Sequence, residues 1–116
     1  MQDGFKSLSV WQKSMDLARA TYRLAALLPA HERYALADQM RRAVISIPSN
    51  IAEGSRRNSR KDYAHFIAMA HGSLAELETQ MLLAQTEYAQ IPFESVLPLA
   101  DEVSRMLLVL GRRLRD

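Results

Sequence analysis

Apolar residues recur at three- and four-residue steps along four stretches of this chain, with proline, serine or glycine at the breaks between them. The first stretch carries Leu8, Trp11, Met15, Ala18, Tyr22 and Ala25, the seam pattern of a bundle helix over about residues 8–28. Ser7 or Ser9 can cap it, Ser9 standing at capping-box spacing from Gln12, and Pro29 stops it. A second helix over about 34–57 has the stripe Met40, Val44, Ile47 and Ile51. Ser59 and Asp62 form a capping box that opens a third, over about 60–90, with the seam Tyr63, Ile67, Ala70, Leu74, Leu77, Met81, Ala84 and Tyr88. Ile91-Pro92 ends it. The fourth, over about 95–115, carries Val96, Leu99, Val103, Met106 and Leu110. Ser95 as its cap puts Pro98 at the third helical position, where a missing donor is harmless. No stretch alternates as a strand does, and short connections make neighbours antiparallel. The expected fold is all-α, one domain over residues 1–116, an antiparallel up-down-up-down four-helix bundle.

The second helix has an unusual polar side. Arg42, Ser46, Asn50, Glu53 and Arg57 follow helical steps roughly opposite its apolar stripe and mix charges with small neutral groups. Pro48 removes a backbone donor and should bend the helix. Asn50 is expected first to bond backbone freed at that bend, and Glu53 to pair with Arg57 four residues on. Gly54 reads equally as a C-terminal breaker or as a contact point inside the helix. Gly72, beside Ala70 and Ser73 in the long third helix, costs about 1 kcal/mol relative to alanine. Close approach of another helix, in the same chain or in a neighbouring subunit, is the simplest offset.

Composition narrows the class. A chain of 116 residues with 48% hydrophobic residues builds a modest core, which oligomerisation would supplement. There is no cysteine, so no disulfide or thiolate metal site. No apolar run approaches the roughly 18 residues of a membrane span, and the N-terminal residues lack a signal-peptide pattern. A soluble cytoplasmic protein without a membrane partner is expected.

The net charge of +2 hides segregation. Arg33, Arg41, Arg42, Arg56, Arg57, Arg60 and Lys61 face only Asp38 and Glu53 in their segment. Residues 62–104 contain no lysine or arginine, and Arg105, Arg112, Arg113 and Arg115 follow. In an up-down-up-down bundle the 56–61 corner, the 112–115 tail and both termini share one end, with Lys6 and Lys13 near it. The plainer reading is a solvated surface, with arginines complementing helix C-termini. Arg60 and Lys61, however, stand at a helix N-terminus, where cations are disfavoured.

Catalytic chemistry is missing. His65 and His71 are six residues apart, about 240° around a helix, and cannot share a metal. There is no phosphate-binding glycine loop, no Glu-x-x-His pair and no serine with a base partner. Glu53 and Glu76 are the candidate acids, with structural hydrogen bonding the simpler role. No catalytic residue, metal set or cofactor is expected, and the chain reads as a non-enzyme.

Leu8-x-Val10-Trp11, Pro29-x-x-Glu32-x-Tyr34-x-Leu36-x-x-Gln39-x-Arg41-Arg42-Ala43, Ser46-Ile47-Pro48-Ser49-Asn50-Ile51-Ala52-Glu53-Gly54, Arg57, Phe66 and Ala70-x-Gly72-Ser73-x-x-Glu76-Leu77 follow one another in order. Together they resemble the bacterial four-helix bundle proteins encoded in intervening sequences of 23S rRNA genes. The resemblance covers nearly the whole chain. It implies antiparallel four-helix bundles that assemble into pentamers, and a similarity to the accessory variability protein of diversity-generating retroelements, a basic pentamer that binds nucleic acid and a reverse transcriptase. Ala35 stands where the family often has glycine, and Pro98 is atypical.

The functional expectation is a small homo-oligomer that binds the backbone of RNA or DNA through Arg41, Arg42, Arg56, Arg57, Arg60, Lys61, Arg112 and Arg113. Ser46, Asn50, Glu53, Gly54, Gly72, Ser73 and Glu76 are expected at an oligomer interface or in a structural motif. The alternative is a scaffold for a protein partner with no nucleic-acid role.

Overall fold

The computed structural model describes residues 4–116. They form four α-helices and no strand: α1 Ser9–Ala25, α2 Leu36–Ser55, α3 Arg60–Glu87 and α4 Leu97–Arg115. Short 3₁₀ turns occupy Gly4–Ser7, Ala30–Glu32 and Phe93–Ser95. At 1.5 Å per residue the 28 residues of α3 span about 42 Å, the full 43 Å length of the molecule.

The helix ends follow local chemistry. α1 stops at Ala25, before the expected residue 28, because the Leu27 and Leu28 amides tighten onto the carbonyls of Leu24 and Ala25 ahead of Pro29. Its N-cap is Leu8, without a side-chain bond; Ser7 Oγ instead donates to the Gly4 carbonyl and Gln12 Nε2 to the Lys6 carbonyl. α3 begins as expected, Ser59 Oγ accepting the Asp62 amide at 3.0 Å. α4 begins at Leu97, because Phe93–Ser95 turns inward to bury Phe93. Pro98 therefore sits at the second helical position, and Ser95 Oγ donates to the Pro92 carbonyl rather than capping.

α2 packs most extensively on α3, α3 on α4, and α1 on both α2 and α4. Along the α2–α3 and α3–α4 pairs, residue numbers fall on one helix as they rise on the other. Ser46 meets Ser73 while Gly54 meets Phe66, and His71 meets Ser104 while Arg60 meets Arg113. That order is consistent with antiparallel neighbours.

The core stripes of α2 and α3 are the expected ones, with Met40, Val44, Ile47 and Ile51 facing Ile67, Leu74, Leu77 and Met81. The other two helices keep part of their expected seams, Ala25 on α1 and Val96 and Val103 at α4, and are otherwise turned from them. α1 buries Val10, Ser14, Leu17, Thr21, Leu24 and Ala25, and leaves Trp11, Met15 and Ala18 half-buried and Tyr22 exposed. α4 buries Ala100, Val103, Leu107 and Gly111, and leaves Leu99, Met106 and Leu110 half-buried. Ser14 tolerates burial because its hydroxyl donates to the Trp11 carbonyl at 2.7 Å. No helix among the described residues is long and apolar enough to cross a membrane.

Candidate nucleic-acid interface

The basic end is built outward from Gly54. A Cβ at that position would stand 2.7 Å from Phe66 Cβ and 3.1 Å from Tyr63 Cδ1. Only glycine lets the last turn of α2 come this close to α3. Its φ is not positive, so it acts as a contact point inside the helix and not as a breaker. Immediately beyond it α2 ends, the Arg56 and Arg57 amides still bonding the Glu53 and Gly54 carbonyls, and the Ser59 cap starts α3. Arg56, Arg57, Arg60 and Lys61 thus crowd one tight corner, all exposed.

Aromatic rings and one carboxylate hold two of these cations. The Arg57 guanidinium lies 4.6 Å from the Phe66 ring centroid and bonds Glu53 Oε2 at 2.8 Å. Arg56 lies 5.3 Å from the ring of Phe5, which itself meets Trp11 edge-on at 5.2 Å. Arg60 donates to the Arg113 carbonyl in the last turn of α4. A cation at the N-terminus of its own helix is therefore also at the C-terminus of a neighbouring one, whose dipole offsets the unfavourable placement. Arg112, Arg113 and Arg115 join the cluster from α4. Lys61, Arg112, Arg113 and Arg115 are exposed and make no ion pair with a described residue.

Two of the expected basic residues lie elsewhere. Arg42 pairs with Asp38 at 3.2 Å, and Arg41 sits 5.7 Å over the Tyr22 ring. They precede Arg56 by about four turns of α2, roughly 20 Å, so they do not join the basic end. Lys13 is tied to Glu102 at 3.4 Å, between α1 and α4. Conversely, His65 lies one turn after Lys61 and beside Arg115 at this end. The four-residue spacing of Lys61 and His65 was the available signal for it.

The polar stripe of α2 is not one surface. Ser46 Oγ and Ser73 Oγ lie 2.7 Å apart across the α2–α3 contact. Asn50 Nδ2 donates to Ser46 Oγ at 2.9 Å and to the Ser46 carbonyl at 2.8 Å. That carbonyl is not the one released by Pro48, which would be Val44, so the expected role of Asn50 is replaced by a side-chain network. α2 runs unbroken through the buried Pro48. Gly72 faces open space, with no atom within 4 Å of a Cβ placed there, so the close approach expected in this chain occurs at Gly54 instead. Glu76 is exposed.

A chain built this way has a recognisable kinship. A sequence model described as 23S rRNA-intervening sequence protein matches residues 6–109. The chain belongs to that family. A comparison with curated proteins finds no match.

At the opposite end of the molecule Tyr88 Oη donates to Glu32 Oε2 at 2.5 Å and lies 3.3 Å from His31 Nε2. The bond from Tyr88 holds the Glu32 carboxyl below the usual carboxylate range and, reciprocally, pushes the Tyr88 phenol up. On α3, burial followed by the nearby Asp101 raises the Glu78 carboxyl. No three His, Cys, Asp or Glu among the described residues gather closely enough to hold a metal ion.

Proposed function

We propose that this chain is one subunit of a cytoplasmic, non-catalytic oligomer that binds the backbone of RNA or DNA through its basic end. The observation that carries this reading is the convergence of Arg56, Arg57, Arg60, Lys61, Arg112, Arg113 and Arg115 from three helix ends, in a chain whose net charge is only +2. In an up-down-up-down bundle these ends coincide, and a ring repeats the cluster around its axis. A modest charge per subunit becomes a concentrated rim that displaces counterions from phosphates. Pentameric assembly, and kinship to the accessory protein of diversity-generating retroelements, are what the resemblance of the sequence motifs implies.

Oligomerisation has its own support. Trp11, Met15 and Ala18 of α1 border a groove of about 330 Å³ with Ile45, Pro48 and Ala52 of α2. A second groove of about 350 Å³ runs between α1 and α4 over Leu8, Val10, Met106, Val109 and Leu110. Apart from the buried Val10 and Pro48, these are half-buried or exposed apolar residues that a monomer leaves partly uncovered. They also favour the second reading, a scaffold for a protein partner.

Replacing Arg56, Arg57, Arg60 and Lys61 with glutamate is the test, read by fluorescence anisotropy on protein freed of co-purified nucleic acid. Binding that is steeply salt-dependent in the native protein and lost in the variant, with helicity retained, is the expected result. Retained affinity would rule out this rim. Absence of binding by the native protein at low salt would favour the scaffold.

A further inference from the structure

A groove of about 530 Å³ crosses the basic end, between the first turns of α3 and the last turn of α4. Ala64, Ala68 and Leu114 make its floor, and Lys61, His65 and Arg115 stand around it. We infer that this groove seats one nucleotide of an unpaired nucleic-acid strand, its phosphate between Lys61 and Arg115 and its base against His65 and the apolar floor. The inference rests on the nucleic-acid reading above and names which strand geometry that surface selects.

Three observations carry it. The volume lies within the range of small-ligand sites and accommodates a nucleotide. The floor is alkyl, which suits the face of a base and offers nothing to the hydrogen-bonding edges, so recognition is by stacking and charge and not by sequence. His65 supplies an aromatic wall, its ring set edge-on to Phe66 at 5.9 Å. Phe66 in turn carries the Arg57 guanidinium, so the groove is continuous with the rest of the basic end.

A duplex keeps the faces of its bases stacked inside and presents phosphates, sugars and base edges. It can touch Lys61 and Arg115 but cannot fill the floor. An unpaired strand can splay a base onto an aromatic side chain. The groove offers phosphate contacts and stacking to either sugar, so RNA and DNA strands of one sequence are expected to bind alike.

The test is anisotropy with one labelled twelve-residue sequence as unpaired RNA, unpaired DNA and duplex, at two salt concentrations. The native protein is expected to bind both unpaired strands more tightly than the duplex. His65→Ala should weaken the unpaired strands roughly tenfold, leave duplex binding unchanged, and keep the salt slope. His65→Phe should restore affinity. Lys61→Gln should weaken all three and lower the salt slope by about one. Unchanged unpaired-strand affinity in His65→Ala, with binding still abolished by the fourfold charge reversal, would overturn the groove and leave the rim standing. Binding restricted to RNA would place the contact elsewhere. A glutamate polymer competing as well as the unlabelled strand would assign the groove to acidic polypeptide. No binding of any strand would overturn the rim and the groove together.

Discussion

The hydroxyl oxygens of Ser46 and Ser73 are 2.7 Å apart, and Asn50 from the next turn of α2 bonds the same Ser46 oxygen. The two serines are 27 positions apart in the chain and join the two most extensively packed helices. Ser73→Ala should destabilise the protein by about 1 kcal/mol in chemical denaturation. A double-mutant cycle with Ser46→Ala should give a coupling of roughly 0.5–1.5 kcal/mol. Zero coupling would mean that the hydroxyls do not bond each other in solution.

Two glycines on facing helices should respond with opposite signs. Gly54→Ala forces a methyl toward Phe66 Cβ at 2.7 Å and should cost about 1–3 kcal/mol despite its better helix propensity. Gly72→Ala adds a methyl in open space and should stabilise the isolated fold by up to about 1 kcal/mol. Thermal denaturation of both variants, with the mass recorded by light scattering, separates the effects. A gain in stability for Gly54→Ala would contradict the close approach.

The Tyr88–Glu32 bond should give stability a defined pH window. Glu32 is lowered in the folded state, so its contribution is present above the unfolded carboxylate pKa and is lost as pH falls through the folded value. Tyr88 is raised, so its contribution is present below the unfolded phenol pKa and is lost as pH rises through the folded value. The difference in Tm between the native protein and Tyr88→Phe should be full near neutrality. It should shrink below about pH 4 and above about pH 10. A difference constant down to pH 3 would show that the bond is not made.

Trp11→Glu and Ile45→Glu place charge in the α1–α2 groove, where Ile45 is 46% exposed. If that groove is covered by a neighbouring subunit, each variant should reduce the mass measured by light scattering while circular dichroism stays helical. A native protein that is already monomeric would remove the groove from assembly.

Much of this fold is legible from local chemistry. Ser59 announces α3 because its hydroxyl meets the Asp62 amide within one turn, and Pro29 and Pro92 mark breaks because they cannot continue a helix. The stripe of α2 is legible because it has a dominant apolar face, and that of α3 because its three- and four-residue steps run through the whole helix, even though Met69, Leu82 and Leu83 stay exposed. The site is less so. Arg41 and Arg42 belong to the same basic segment as Arg56, yet 1.5 Å of rise per residue carries them away from the cluster. Arg115 and His65 are separated by fifty positions and share a groove.

The sequence by itself determined the number of helices, their approximate ends, and which faces of α2 and α3 go inward, since propensity, capping and periodicity act within a few residues. Only the tertiary structure decided the rotation of α1 and α4 and the company each basic residue keeps. On those two helices further apolar residues flank the buried stripe, Trp11 and Met15 on α1 and Met106 and Leu110 on α4, and three- and four-residue steps can be drawn through either set. Close packing chose the faces with Ser14, Thr21, Ala100 and Gly111, whose small side chains leave room for neighbouring helices, and left the bulkier Trp11, Met106 and Leu110 at the margin.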